Sequence, residues 1–146
     1  MNIFIATIEQ YFFTIIGGIL SIAFVGFVAF RNNRLNNLAD ARTQLQVAFG
    51  DELSIIKHPP RDISLEIVEI LESAFQKHHT SVLNFNRLLS KRKSIKFMEA
   101  WRTYHAHGKH GEKPYFSQYA STAFSLHNKE PRLVAIERIE KILSIT

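Results

Sequence analysis

Apolar residues follow two different rhythms along this chain. From Tyr11 to Phe30 they run almost without interruption: Tyr-Phe-Phe-Thr-Ile-Ile-Gly-Gly-Ile-Leu-Ser-Ile-Ala-Phe-Val-Gly-Phe-Val-Ala-Phe. These 20 residues contain no charge. At the helical rise they span about 30 Å, the thickness of a bilayer's hydrocarbon core. A core helix of a small domain needs a polar face, and this run has none. A cleaved signal peptide is disfavoured, because it has a basic leader and a shorter apolar core. The pattern predicts an uncleaved transmembrane helix, with Ile3, Phe4, Ile5 and Ile8 able to extend it past Glu9.

Beyond Phe30 the rhythm changes to steps of three and four, the mark of amphipathic helices. Leu35, Leu38, Leu45 and Phe49 share a stripe that Arg42 interrupts, with Ala41 and Ala48 beside it. Gly50 offers a stop, Asp51 to Lys57 a further short turn with Leu53 and Ile56 inward, and His58-Pro59-Pro60 a firm break. From an Asp62 cap, the series Ile63, Ile67, Ile70, Leu71, Ala74, Phe75, His78, Val82, Phe85, Leu89 predicts one long helix over 62–89, with Thr80 and Ser81 able to kink it. Ser90 is positioned to cap the next helix. That helix carries Ile95, Met98, Trp101 and His105 on one face, flanked by Phe97 and Tyr104, and ends near His107. A Gly- and Lys-containing loop reaches Pro114. Tyr115, Phe116, Tyr119, Ala123 and Phe124 then suggest a short aromatic helix. Pro131 suits the first turn of a last helix with Leu133, Ile136, Ile139, Ile142 and Leu143 on one side.

No alternating segment predicts a strand. The expected fold is all-α: one N-terminal transmembrane helix, then a four- or five-helix cytoplasmic bundle. The expected divisions are an anchor over 1–30, a juxtamembrane helix and turn over 31–57, and a helical domain over 58–146 that packs with 31–57.

Charge sharpens this picture. All 18 basic residues and 12 of the 13 acidic ones follow residue 30. Arg31, Arg34 and Arg42 lie just after the apolar run and nothing basic precedes it. The positive-inside rule therefore puts the C-terminal part in the cytoplasm and the N-terminus outside. Residues 87–113 carry a net charge of +6, whereas 51–72 carry −4. Lys91, Arg92, Lys93 and Lys96, with Arg31 and Arg34, are candidates for contact with anionic headgroups or an acidic partner. Nucleic acid is a weaker candidate, because the aromatics nearby sit at core spacing.

Within the apolar run, Thr14, Gly17, Gly18 and Ser21 form a small-residue strip of the kind that lets membrane helices approach. The chain has no Cys, no nucleophile elbow and no phosphate-binding glycine loop. His105, His107 and His110 have a spacing that could hold a metal, but Lys109 stands where hydrolase motifs of that kind place an acid. A solvated helix end is the commoner outcome. His78 is expected to be a core-edge imidazole bonded to a neighbour. Neither a catalytic residue nor a cofactor is expected.

Four landmarks fall together: Ala48-Phe49-x-x-Glu52-Leu53; Ala74-Phe75-x-x-His78-x-x-x-Val82-x-x-Phe85; Phe97-x-x-Ala100-Trp101-x-x-Tyr104; and Arg138-Ile139-x-x-Ile142-Leu143. Their cadence over most of 42–143 resembles that of small uncharacterised bacterial single-pass membrane proteins with a helical cytoplasmic domain. The resemblance implies a bacterial inner-membrane setting and no inherited catalytic residues. The resulting expectation is a membrane-anchored adaptor or scaffold, acting on a protein partner or on further copies of itself at the cytoplasmic face. The alternatives are a membrane-active oligomerising effector and, third, a metal-dependent enzyme built on the His cluster.

Overall fold

The computed structural model describes residues 2–59, 66–106, 114–120 and 129–146, with side chains from Ile15 onward. Within these residues the chain is all-helical. Helix α1 covers Asn2–Lys57, α2 Ile67–Asn86, α3 Lys91–Ala106 and α4 Pro131–Ser144. A 3-10 turn at Phe116–Tyr119 lies between α3 and α4. No strand occurs among the described residues. Internal contacts divide the chain into two units, Met1–Asn37 and Leu38–Thr146.

The first unit consists of the N-terminal part of α1. Every side chain from Ile15 to Asn37 is exposed, including Ile22 at 75 % and Phe30 at 69 %. Among the described residues, α1 is the one helix long and apolar enough to cross a membrane.

The second unit holds the core. The end of α1 contributes Ala41, Leu45, Ala48, Phe49 and Ile56, and α2 contributes Leu71, Val82 and Phe85. Phe97, Ala100, Trp101 and Tyr104 come from α3, Phe116 and Tyr119 from the 3-10 turn, and Val134, Ala135, Ile139 and Ile142 from α4. All join one cluster. Helix α3 packs on α4 and α2, and the 3-10 turn packs on α2 and α4.

Several boundaries and faces differ from the sequence expectation. Gly50 does not stop α1. The helix passes through it to Lys57, because Leu53 and Ile56 continue the inward stripe and the prolines behind them end it. Arg42 does not interrupt that stripe either. It is exposed, and Ala41 takes the inward position. Helix α2 starts at Ile67, behind an extended Glu66, and gives way at Arg87 to a turn, so it is shorter than 62–89. Thr80 and Ser81 lie inside it without a break. Asp62, Ile63, Ala123 and Phe124 lie outside the described residues.

On α3, Ile95 is 62 % exposed and Phe97 is fully buried, so the inner face is rotated from the one expected. On α4, Leu133 faces out, and Val134 and Ala135 face in. Pro131 does occupy the first turn of α4.

Polar side chains tie the ends of helices across this core. Arg132 Nε donates to the Ile56 carbonyl at 2.5 Å and its Nη2 to the Lys57 carbonyl at 2.6 Å. These carbonyls belong to the last turn of α1, where no further turn can satisfy them. Lys57 also pairs with Glu140 at 2.6 Å. Arg132→Ala is expected to lower unfolding free energy by about 1.5–3 kcal/mol, the range for hydrogen bonds made by a charged donor. Urea unfolding of the full chain in mild detergent checks this; no change would show the cap to be idle.

Candidate functional site

The most developed polar arrangement lies inside the second unit. Helix α2 places Lys77 and His78 opposite Glu52 of α1 and Tyr104 of α3. His78 is fully buried and stacks on Phe49, with centroids 3.9 Å apart and planes 7° from parallel. Its Nε2 lies 3.3 Å from Glu52 Oε2, and its Nδ1 lies 3.0 Å from the Tyr104 hydroxyl. An ionised carboxylate only accepts, so Nε2 carries the proton and donates to Glu52. Nδ1 then accepts from the Tyr104 O–H. Lys77 closes the chain at 2.8 Å from Glu52 Oε1 and reaches Asp51 at 3.5 Å.

The electrostatics agree with that assignment. Burial lowers the His78 pKa, against the pull of Glu52, and keeps the ring neutral. Burial alone would raise Glu52, but its bonds to Lys77, the backbone and His78 outweigh this and hold its carboxyl below the ordinary value. The Glu52 contact raises Lys77. Burial lifts the Tyr104 hydroxyl well above its ordinary range. Tyr104 is therefore a hydrogen-bond donor at neutral pH and not a base.

A second polar layer caps α3. The Tyr104 carbonyl accepts from Gln118 Nε2 at 2.9 Å and from the Tyr119 hydroxyl at 2.7 Å, and the His105 carbonyl accepts from the Tyr115 N–H at 2.7 Å. Arg138 of α4 donates to Gln118 Oε1 at 2.5 Å and lies over the Tyr119 ring at 5.3 Å. Burial moves the Tyr119 hydroxyl up to about 12, although Arg138 opposes it. The two layers meet at Tyr104 and link α1, α2, α3 and α4 among the described residues. The acid and bases of the first layer are directed at one another. Such a network fixes one packing of the core.

The sign of its pH dependence follows directly. The folded pKa values of His78 and His105 lie below 6.5, and that of Glu52 below 4.5. In each case the unfolded chain binds the proton more readily, so stability is complete above the unfolded value and falls as pH drops. The melting temperature is expected to decline below about pH 6.5 and more steeply below about pH 4.5. His78→Gln together with His105→Gln should flatten the upper part of that decline. An unchanged slope in the double variant would assign it to other groups.

The residues singled out from sequence are placed as follows. Gly17, Gly18 and Ser21 are exposed, and a Cβ on either glycine would meet nothing within 4 Å. Ser21 Oγ donates to the Gly17 carbonyl at 2.8 Å. The Thr14 side chain, His107 and His110 lie outside the described residues. His105 is buried and stacks on Trp101 at 4.5 Å. Its Nδ1–H donates to the Trp101 carbonyl at 2.6 Å. Among the described residues no three His, Asp or Glu side chains gather as a metal site would require.

Arg31, Arg34, Lys91, Arg92, Lys93 and Lys96 are all exposed. An open groove of about 340 Å³ lies between α1 and α2, lined by Thr43, Gln44, Val47, Ala48, Lys77 and Ser81. The sequence reading missed Glu52 as the partner of His78, and it missed Gln118 and Arg138. The signal available was the shared stripe of Ala48, Phe49 and Glu52 on α1, which placed an acid next to buried positions.

Comparison with protein families, with curated proteins and with solved structures finds no match to this chain.

Proposed function

We propose that this chain is a single-pass membrane-anchored adaptor whose helical domain works at the cytoplasmic face by binding another protein or further copies of itself. The observation that carries the reading is the stretch from Ile15 to Phe30. It is uncharged, apolar and exposed at every residue. An apolar surface of that length requires another apolar medium. Arg31 and Arg34 follow at once and favour the cytoplasmic side for everything after them.

In this reading residues 38–146 form a helical bundle held near the membrane. Tethering raises the domain's effective concentration at membrane-bound partners. The strip of Thr14, Gly17, Gly18 and Ser21 supplies a surface for helix contact within the bilayer. The inward-directed polar network of the domain supports a recognition role more than a catalytic one. The inner membrane of a bacterium is the proposed location.

The test is recovery of the full-length protein from its native membrane in mild detergent, followed by mass spectrometry. A stoichiometric partner, or a defined homo-oligomer, supports the adaptor. Recovery of the chain as a lone monomer would contradict the adaptor, and a homo-oligomer whose expression makes cells leak would move the assignment to the membrane-active oligomerising effector.

A further inference from the structure

The start of α3 presents a surface that the packing of the domain does not explain. Lys91, Arg92, Lys93 and Lys96 are exposed, as is Arg87 in the turn before them. Among the described residues none of the five has an ion pair. Three of these cations occupy the first turn of α3, and that turn holds no acid. Positive charge there opposes the helix dipole, so helix stability does not account for them.

Ile95 adds the second observation. Its spacing predicted a core position, yet it is 62 % exposed. It lies one helical turn after Lys91 and Arg92, next to both on the helix surface. The fold thus leaves a large aliphatic side chain in water among cations, while Phe97 two residues on is fully buried.

An apolar residue set among exposed cations fits one chemistry well, an anionic bilayer surface. Headgroups attract the cations, and the boundary with the acyl chains accepts the aliphatic group. A nucleic acid would match the charge but leave Ile95 without an apolar layer, and an acidic protein would need an apolar site built to fit it, whereas every anionic bilayer carries both. We propose that Ile95, with Arg87, Lys91, Arg92, Lys93 and Lys96, forms a second membrane contact that lays the first turns of α3 on anionic lipid. This deepens the membrane-anchored reading and gives the partner of the basic segment.

The test keeps the full-length chain in nanodiscs of zwitterionic lipid and asks whether these float with added vesicles. Co-elution of the chain with the nanodisc reports the transmembrane anchor separately, before any vesicle is added. If the anchor fails, the chain does not enter the disc and can be tested for flotation directly. Vesicles with about one-third phosphatidylglycerol should capture the wild type, and pure phosphatidylcholine vesicles should not. Replacing Lys91, Arg92, Lys93 and Lys96 with Gln should reduce capture by roughly six-hundredfold, at about fivefold for each of the four charges.

Ile95→Gln keeps every charge and should still reduce capture about fivefold. Position 95 is exposed, so the melting temperature should not move, and that measurement keeps a folding defect apart from a binding defect. Equal capture by both vesicle types overturns the proposal, as does full capture of Ile95→Gln. Binding of a DNA duplex or polyglutamate without binding of anionic vesicles would also overturn it, by assigning the patch to an acidic macromolecule.

Discussion

Phe49→Ala is expected to destabilise the domain by about 3–5 kcal/mol, the usual cost of deleting a buried phenyl ring. Phe49 is fully buried on α1, stacks on the His78 ring at 3.9 Å and meets the Tyr104 ring edge-on at 5.7 Å. Its loss leaves a cavity beside a polar network, and the Glu52–His78–Tyr104 bonds are ordered partly by that stack. A domain of this size holds only about 5–15 kcal/mol in total, so much of its stability would go. Trp101 is the only tryptophan and is 2 % exposed, which makes its fluorescence a direct reporter of unfolding. Val47→Ala, at a side chain 64 % exposed, should change stability by less than about 0.5 kcal/mol. Equal effects of the two substitutions would contradict the described core.

Phe24→Arg is expected to expel the first unit from the membrane. Phe24 sits inside the apolar stretch and is 68 % exposed. Arginine at the centre of a membrane helix costs about 2.5–3.5 kcal/mol on the insertion scale, and the favourable contribution of Phe is lost as well. Alkaline extraction of membranes should release a large fraction of the variant and little of the wild type. Phe24→Leu should behave as wild type. The domain from residue 38 onward should keep its Trp101 fluorescence in all three, because position 24 belongs to the other unit.

Helix content was readable from the sequence because one apolar stripe per helix suffices to reveal a period of 3.6. The choice between two neighbouring stripes was not. On α3, Ile95-Met98-Trp101-His105 and Phe97-Ala100-Trp101-Tyr104 both satisfy the spacing. The second wins because it buries Phe97 and Tyr104 in full and presents the Tyr104 carbonyl to Gln118 and Tyr119. On α4, turning Leu133 outward accompanies the Arg132 contact with the end of α1 and leaves Val134 and Ala135 inside. Gly50 looked like a stop because helices often end at glycine, but the apolar stripe beyond it continued to reward helix.

The polar network was hidden for another reason. Glu52 and His78 are 26 residues apart, as are His78 and Tyr104. Such pairs are set by how helices face one another, and local periodicity carries no record of that. The sequence did mark His78 as a core-edge imidazole with a partner, and the structure supplies Glu52 and Tyr104. The exposed cations of α3 were visible as a charged segment, but the exposure of Ile95 among them emerged only with the packing of α3.

The chain has no cysteine, so single-cysteine labelling in intact cells offers the most direct test of the anchored topology. Ala23→Cys and Ser144→Cys would each be exposed to a membrane-impermeant maleimide before and after permeabilisation. Cys at 23 is expected to stay unlabelled in both conditions, and Cys at 144 to label only once the membrane is opened. Rapid labelling at 23 would place the apolar helix in water and contradict the membrane anchor, and labelling at 144 in intact cells would invert its orientation.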